Sequence, residues 1–529
     1  MKRIVLFIIC LLTVYSVLNA QKEGIASINK SDLKAYMTFF ASDEMAGRET
    51  GTPENDASAL FIKTNLMRLG LKPMSDGDYF QKMPFIETSV DTKERSLKIY
   101  DNTGKVTFST DSLVSFSQST KTLELAGNVV FAGYGYSDST GYNDLKGIDL
   151  KNKIVLIMTR TPESAYSNEK SKVFDNRIEG KKLGSIFMAG PKAVLLVYDP
   201  KNNFKDAYTS GLAGMIPANS VAPSTQERRD MPFLLAFITH YTADQLLKST
   251  GNNLVQMQDN IKREGKPVST EIQGITTSIK IPVRTRDFFA SNVIGIVEGS
   301  DPVLRNECVI YTAHFDHTGK NREGQVNNGA DDNASGSMAL LEVAEAFTKL
   351  KKKPLRTIIF AWVNGEEKGL LGSQYYANNP VIPMEKTLVD FNLDMVGRSK
   401  LPSDTGKFAG YDLDVTQPGE IMIYTAHESS ELTNLLNSAA QESGIKVIDK
   451  GKDLGFGGSD HESFWAKGVP AIFFHSGIHA DLHNVGDDVE KIDFNKMEKV
   501  SKMVFLLGYK VANQKSRIVV DNPLKPQGQ

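Results

Sequence analysis

Acidic and imidazole side chains cluster between residues 311 and 488, a stretch that holds seven of the eight histidines in the chain. They fall in six short motifs: YTAHFDH (311–317), GADDNASG (329–336), FAWVNGEEKG (360–369), DFNLDMVG (390–397), GGSDHESF (457–464) and HADLHNVGDD (479–488). Imidazole nitrogen and carboxylate oxygen are ligands that zinc prefers, and a catalytic zinc keeps one position open for water. These residue types therefore predict a catalytic metal site.

Five residues in these motifs have the chemistry of metal ligands: His314, Asp332, Glu367, Asp394 and His483. Five side chains suit two ions that share one bridging carboxylate better than they suit a single four-coordinate ion. Asp332 is the predicted bridge, because it stands just before an Asn-Ala-Ser-Gly sequence that can cap a helix. The predicted cofactors are two zinc ions.

Two more acids have predicted roles beside the ligands. Glu366 and Glu367 are adjacent and cannot both point the same way at a strand end, so we expect Glu367 to bind metal and Glu366 to accept a proton. We expect Asp316 to accept the other N–H of His314 and thereby to fix its tautomer. Paired cations polarise a scissile carbonyl and activate water, so the site predicts hydrolysis without a covalent enzyme intermediate.

The other motif residues fit less specific roles. Each motif by itself is typical of a helix cap, a charged turn or a solvated loop, but five of them at strand ends favour a metal site. Ser335 and Ser459 lie outside any G-x-S-x-G elbow, which argues against a serine hydrolase. Four histidines are expected to support ligands, to contact substrate or to be structural: His317, His461, His475 and His479.

Strands and helices alternate from about residue 292 to 512, which predicts an α/β domain with a mostly parallel central sheet covered by helices. Ligands of such sheets bind beyond the carboxyl ends of the strands. His314 follows VIYTA, Glu366 and Glu367 follow IIFAWV, and Asp394 follows VDFNL. The motifs are therefore expected to meet at one edge of the sheet.

The chain is long enough for two domains, because a single core rarely organises more than roughly 250–300 residues. We predict a signal peptide at 1–20, an N-terminal part of the catalytic domain at 21–122, a β-rich module at 123–270, the catalytic domain at 271–515 and a tail at 516–529. Two amphipathic helices are expected at 31–42 and 53–69, with a loop at 46–52 between them.

Charge and hydropathy exclude several kinds of partner. Sixty-one basic and sixty-three acidic residues leave a formal charge of -2, so no overall field recruits nucleic acid or an anionic membrane. The apolar run at 4–17 follows Lys2 and Arg3 and is shorter than the ~20 residues of a spanning helix. We therefore expect export to the periplasm or the medium without a membrane anchor, and the oligomeric state stays open.

The motifs resemble those of metallopeptidase family twenty-eight, the co-catalytic di-zinc aminopeptidases. That family carries His-x-Asp, Asp-Asn-x-Ser-Gly, Glu-Glu, an Asp after a strand, and a final His followed by an acid. The corresponding positions here are His314 with Asp316, Asp332 with Asn333, Glu366 with Glu367, Asp394, and His483 with Asp487. The resemblance extends over about residues 292–512 and implies the zinc-exopeptidase, phosphorylase/hydrolase-like fold.

The resemblance also implies roles for the ligands. One zinc would be held by His314, Asp332 and Asp394, and the other by Asp332, Glu367 and His483. Glu366 would be the general base, and Asp316 would orient His314. The module at 123–270 is similar to a protease-associated domain, on the sequences AGYGY (132–136) and GIDLKNKIVLIM (147–158). Such a domain would restrict or guide substrates.

The predicted function is that of an aminopeptidase that releases N-terminal residues from peptide substrates. A dipeptidase, a carboxypeptidase-like hydrolase and a glutaminyl cyclase on the same scaffold are alternatives. A noncatalytic receptor-like protein belongs to a different class. It is disfavoured because all five ligands and Glu366 are present.

Overall fold

The structure is a computed structural model that describes residues 21–75, 77–116, 121–162, 176–201, 219–225, 234–321, 323–408, 411–424, 428–451 and 458–522. The predicted signal peptide lies outside these residues, as does the end of the predicted tail. The described residues form two compact units. Unit 1 comprises those up to 84, those of 289–408 and those after 411, and unit 2 is centred on 85–288.

The strands of the described ranges are numbered in chain order. They are β1 (Lys72–Pro73), β2 (Phe80–Val90), β3 (Ser96–Asp101), β4 (Val106–Thr110), β5 (Leu113–Phe116), β6 (Leu123–Phe131), β7 (Ile154–Met158), β8 (Ala193–Val197), β9 (Asn219–Pro223), β10 (Leu234–Ile238), β11 (Thr270–Ile281), β12 (Val283–Val297), β13 (Cys308–His314), β14 (Thr357–Val363), β15 (Thr387–Leu393), β16 (Lys407–Phe408), β17 (Tyr411–Asp412), β18 (Glu420–Tyr424), β19 (Lys446–Asp449) and β20 (Ala471–His475).

The α-helices are numbered in the same way. They are α1 (Lys30–Phe40), α2 (Pro53–Leu69), α3 (Asn176–Met188), α4 (His240–Leu247), α5 (Leu254–Glu264), α6 (Gly336–Thr348), α7 (Leu371–Asn378), α8 (Ser430–Ser443), α9 (His461–Trp465) and α10 (Phe494–Ala512).

Unit 1 is built on a mixed sheet that includes the order β19-β18-β20-β15-β13-β14-β12. The four strands β20, β15, β13 and β14 are parallel to one another. Strands β12 and β18 run antiparallel to their neighbours β14 and β20. Every residue of β13, β14 and β15 is buried, as expected for strands covered on both faces. The predicted α/β fold with a mostly parallel central sheet is confirmed.

Alternate residues of the central strands enter two different hydrophobic cores. Val309 and Tyr311 of β13 pack in the core that contains residues of α6 and α10. Ile310 packs in the core that contains residues of α7 and α9. Gly508 in α10 makes room for the ring of Tyr311, because a Cβ at that position would lie 1.5 Å from the Tyr311 hydroxyl. The sheet edge that bears the motifs is thus fixed from both faces.

The predicted pair of N-terminal helices is confirmed as α1 and α2. The backbone N–H of Asn55 donates to the Thr52 hydroxyl at the start of α2, and Pro53 occupies its first turn. Gly70 ends the helix with a φ of 72°, a conformation that glycine adopts without strain. The two helices fix the ends of the segment that connects them, residues 41–52.

Unit 2 has its own sheet, in the order β4-β3-β11-β6-β7-β8-β10-β5. Strands β6, β7, β8 and β10 are parallel, and β11 pairs antiparallel with both β3 and β6. Because β3 and β4 join this sheet through β11, the unit begins well before the predicted boundary at residue 123. Among the described residues, no helix combines the length and the apolar character needed to cross a bilayer.

Glu342 in α6 is a carboxyl group buried in the core of unit 1, with 1% of the residue exposed. One of its oxygens accepts the backbone N–H of Asn29 at 3.0 Å, and the other has no hydrogen-bond partner in the described part of the chain. Burial raises the pKa of Glu342 from 4.5 to about 8; the Asn29 hydrogen bond opposes this rise, while Asp32 and Glu345 add to it.

We predict that Glu342→Gln stabilises the protein at pH 9 and has little effect at pH 5. The folded pKa lies above the unfolded one, so the stability contributed by the protonated carboxyl is complete below about pH 4.5 and lost as the pH rises through about 8. Glutamine keeps an acceptor for Asn29 and stays neutral at every pH. It therefore avoids the loss of unfolding free energy that ionisation of the buried glutamate causes, about 1.4 kcal/mol for each unit by which the folded pKa exceeds the unfolded one. Thermal unfolding midpoints at both pH values provide the measurement, and a gain of equal size at pH 5 would contradict the prediction.

Candidate metal centre

The five predicted ligands come together at the carboxyl edge of the parallel strands in unit 1. Each is carried by the end of a strand or by the loop that follows it, where side chains of neighbouring strands meet. They are His314 at the end of β13, Asp332 in the turn before α6, Glu367 after β14, Asp394 directly after β15 and His483 after β20.

His314, Asp332 and Asp394 form one set of possible ligands. The Nε2 atom of His314 lies 3.4 Å from Oδ1 of Asp332 and 3.3 Å from Oδ1 of Asp394. Zinc lies about 2.0–2.2 Å from such ligand atoms, so atoms around one ion can be no farther apart than about twice that distance. Nε2 of His314 and Oδ1 of Asp394 are buried without a hydrogen-bond partner among the described residues. These atoms fit an ion.

Asp332 and Glu367 form a second set together with an imidazole. The Nε2 atom of His483 lies 3.0 Å from Oδ2 of Asp332 and 3.3 Å from Oε2 of Glu367. The Nδ1 atom of His317 lies 2.8 Å from Oε1 of Glu367 and 3.5 Å from Oδ2 of Asp332. Two imidazoles thus reach the same pair of carboxylates, whereas the sequence pointed to His483 alone.

Asp332 connects the two sets, because its Oδ1 atom faces His314 and its Oδ2 atom faces His483 and His317. This is the arrangement required of a carboxylate shared by two ions. Burial opposes ionisation of Asp332, but His317 and His483 more than offset that effect and lower its pKa. His483 and His317 likewise hold the pKa of Glu367 well below its ordinary value against the opposing effect of burial.

The donor set therefore fits zinc. It combines two or three imidazoles with three carboxylates, all at ligand spacing, and His314, Asp332 and Asp394 are buried. A cluster of buried carboxylates is unfavourable unless cations compensate its charge. Two groups of three have ligand atoms close enough together for one ion, His314 with Asp332 and Asp394, and His317 with Asp332 and Glu367, so Asp332 belongs to both.

Glu366 lies beside these ligands without belonging to either set. Burial raises the pKa of Glu366 well above its ordinary value; nearby Glu367, Asp460 and Asp394 add to the rise, and His314 opposes it. Cations bound among these acids would lower that pKa toward neutrality, which suits a group that takes up and releases a proton.

Asp316 is placed differently from its predicted contact with His314. Its carboxylate Oδ1 lies 3.8 Å from Nδ1 of His314, which is too long for a hydrogen bond, and the backbone carbonyl of Asp316 lies at 3.2 Å instead. The carboxylate accepts the backbone N–H groups of Glu366 and Glu367, at 3.2 and 3.4 Å, and the hydroxyl of Thr50 at 2.9 Å. Asp316 thus holds the backbone of the Glu366–Glu367 loop.

Two supporting residues also hold the ligands in place. The hydroxyl of Ser459 donates to Oδ2 of Asp394 at 2.7 Å, which leaves Oδ1 of that carboxylate facing His314. The Asp487 carboxylate accepts the backbone N–H groups of Asp331 and Asp332 at 3.0 Å. For Ser459 the sequence offered one signal, its place in the GGSDH motif.

Comparison with known proteins finds related sequences and similar folds. Residues 292–507 match the model of peptidase family M28. A probable leucine aminopeptidase of Trichophyton verrucosum is 27% identical over 265 residues, which is 48% of this chain and 65% of the relative's length. Leucine aminopeptidase 1 of Colletotrichum graminicola is 31% identical over 193 residues, covering 35% of this chain and 45% of the relative. The chain thus spans less than two thirds of these relatives.

Two solved structures are similar over almost the whole chain. The aminopeptidase from Aneurinibacillus sp. strain AM-1 has a TM-score of 0.58 and 23% identity, with coverage of 95% of this chain and 98% of that one. BSAP, a zinc aminopeptidase from Bacillus subtilis, has a TM-score of 0.55 and 19% identity, with coverage of 94% and 99%. These two similarities establish the fold.

Removing the two imidazoles one at a time is predicted to separate their roles. His483→Ala is expected to bind one zinc ion fewer than the unaltered chain, because Nε2 of His483 faces both carboxylates of the second set. His317→Ala is expected to keep both ions with about tenfold to a hundredfold weaker affinity, because His317 is hydrogen-bonded to Glu367 and supports that ligand. Zinc content after equilibrium dialysis is the measurement.

His240→Ala serves as the control for that experiment, because His240 belongs to unit 2 and its ring contacts the backbone carbonyl of Tyr198. It should bind zinc as the unaltered chain does. If His317→Ala loses an ion while His483→Ala does not, then His317 is the ligand and His483 the supporting residue.

Proposed function

We propose that the protein is a zinc-dependent aminopeptidase that releases N-terminal residues from peptides, in keeping with the match of residues 292–507 to the model of peptidase family M28. One observation carries the proposal: the two oxygens of Asp332 face two separate ligand sets, with Glu366 beside them. The type of reaction is proposed from the relatives, which are named as leucine aminopeptidases.

Two zinc ions would be held by the residues already described. His314, Asp332 and Asp394 would hold one, and Asp332, Glu367 and His483 would hold the other. When bound, zinc supplies Lewis acidity, which polarises a peptide carbonyl and makes water a stronger acid near neutral pH. Glu366 then accepts the proton of the attacking water and delivers it to the leaving amine.

Two neighbouring residues hold the ligands and the general base in place. Asp316 fixes the backbone of the Glu366–Glu367 loop, so that Glu367 points to the metal set while Glu366 stays free for proton transfer. Ser459 holds one oxygen of Asp394 and leaves the other available. Catalysis by this route requires no covalent bond between the enzyme and its substrate.

Export and substrate guidance belong to the same proposal. The N-terminal sequence suits a signal peptide, which would place the enzyme in the periplasm or outside the cell. Unit 2 would correspond to the protease-associated insert and would restrict which peptides reach the site, without contributing catalytic residues.

We predict that Glu366→Ala retains two zinc ions and loses hydrolysis by about 10²- to 10⁴-fold. Glu366 belongs to neither ligand set, and a positioned general base contributes a factor of that order. Release of a chromophoric anilide from leucine gives the rate, and zinc content measured on the same sample gives the occupancy. Asp394→Ala is the matched variant, expected to lose both zinc and activity.

A Glu366→Ala variant that hydrolyses the substrate at the unaltered rate would overturn the role of Glu366 as base. A chain that binds zinc and cleaves no peptide in any form would overturn the enzymatic proposal and favour a receptor-like protein.

We further predict that a free α-amine on the substrate is required. The leucine anilide should be cleaved, while its N-acetylated form should not, because an aminopeptidase recognises the charged N-terminus of its substrate. Initial rates for the two anilides at equal concentration provide the measurement. Equal turnover would rule out an aminopeptidase, whereas release of the C-terminal residue from N-blocked peptides would identify a carboxypeptidase-like hydrolase.

A further inference from the structure

A short segment of unit 1 approaches the metal centre from outside the catalytic motifs. Residues 41–52 link α1 to α2, and we call the part of this stretch at 46–50 the connecting segment. Three consecutive residues in it have left-handed backbones, with φ values of 45° at Ala46, 70° at Gly47 and 50° at Arg48. Non-glycine residues seldom adopt this conformation, and they keep it where the surrounding structure imposes it, often at functional sites.

The side chain of Arg48 anchors the connecting segment to the rest of unit 1. Arg48 is 0% exposed, and its guanidinium donates four hydrogen bonds, all to backbone carbonyls. Nε donates to Phe315 at 3.0 Å, Nη2 to Gly329 at 2.9 Å, and Nη1 to both Phe40 and Asn328 at 2.8 and 2.7 Å. Within the described ranges, no carboxylate lies at ion-pair distance from it.

Three of these four carbonyls belong to the loops that carry metal ligands. Phe315 directly follows His314, and Asn328 and Gly329 lie four and three residues before Asp332. A guanidinium is planar and offers its donors in a fixed fork. Arg48 therefore joins the His314 loop to the Asp332 loop through one rigid group.

The backbone of the connecting segment contacts the same two loops. The N–H of His317 donates to the carbonyl of Arg48 at 3.4 Å, and the N–H of Gly319 donates to the carbonyl of Gly47 at 3.2 Å. A Cβ on Gly47 would lie 2.4 Å from the carbonyl oxygen of Asn327, so this close approach requires glycine. The segment is thus packed between the loops rather than resting on one of them.

The charge of Arg48 also suits its position. Burial lowers the pKa of Arg48, and Asp332, Asp487, Asp316 and Glu367 oppose this effect by attracting the guanidinium from beyond ion-pair distance. A buried cation without a carboxylate partner would otherwise be costly. Because Arg48 binds carbonyls and leaves the carboxylates free, it offsets part of the acidic charge without occupying oxygen atoms that the ions need.

We propose that Arg48 is a positioning residue that sets the separation of His314 and Asp332 and thereby the affinity of the site for its ions. The inference rests on the proposed function only in requiring that metal binds at this site. Replacement by methionine leaves four carbonyls without their donor. Replacement by lysine keeps the charge but lacks the fork that spans both loops.

Cobalt binding tests the inference without reference to catalysis. Cobalt(II) accepts the same nitrogen and oxygen ligands as zinc, and its visible absorption reports the geometry around the ion. The metal-free chain is titrated with cobalt(II) alongside Arg48→Met and Arg48→Lys. We expect both variants to bind cobalt about tenfold to a hundredfold more weakly and with an altered spectrum, and lysine to retain more affinity than methionine.

Arg356→Met is the matched control. Arg356 is also buried, at 1% exposed, and its Nε donates to Glu307 at 2.7 Å. It precedes β14, whose opposite end leads into the Glu366–Glu367 loop, so it lies at the far edge of the sheet from the ligands. This variant should lose thermal stability as the Arg48 variants do, yet bind cobalt with the affinity and spectrum of the unaltered chain.

Two results would overturn the proposal. One is an Arg48 variant whose cobalt affinity and spectrum match those of the Arg356→Met control. The other is failure of both Arg48 variants to fold while Arg356→Met folds, since Arg48 would then serve the fold rather than the ions. A chain that binds two ions and cleaves no peptide would refute the proposed enzyme activity while leaving this test of Arg48 intact.

Discussion

Mutual repulsion among buried carboxylates is the constraint that the rest of unit 1 has to satisfy. Two carboxylates about 4 Å apart repel by roughly 4 kcal/mol in an interior of intermediate dielectric, which exceeds what a surface ion pair contributes. Asp332, Asp394 and Glu367 nevertheless share one small volume with the imidazoles. They can do so because their loops follow strands that are buried along their whole length and paired with one another in the sheet. The sheet therefore holds these carboxylates together, and bound cations would compensate their charge.

Much of this could be predicted from local sequence patterns. Alternating strands and helices indicated the parallel sheet, and the rule that sheet ligands bind at carboxyl ends placed His314, Glu367 and Asp394 together. Both steps use information that lies within a few residues along the chain. The fold and the convergence of the ligands were accessible for that reason.

Contacts between segments that lie far apart in the sequence could not be predicted in the same way. Arg48 donates to Phe315 across 267 positions, and no periodicity or spacing marks that pairing. The extent of unit 2 depended on the pairing of β3 with β11, strands far apart in sequence. From the sequence, His317 is expected to support a ligand, to contact substrate or to be structural, because His314 and His483 already supply two imidazoles, whereas the structure brings a third imidazole to Glu367. Ligand type can be predicted from sequence more readily than the choice between equivalent ligands.

Asp316 and Asp487, the two acidic positions that follow histidines in the motifs, have the same structural role. Each follows a histidine ligand on its own loop, and each accepts backbone N–H groups from a different loop that carries a carboxylate ligand. Asp316 holds the Glu367 loop, and Asp487 holds the Asp332 turn. The His483 segment is thereby tied to Asp332, which approaches the His483 ring, and the His314 segment is tied to Glu367, which approaches His317 on the same segment. A carboxylate that binds N–H groups in this way restrains two loops at once, which explains why such acids stand beside the histidines while lying outside both ligand sets.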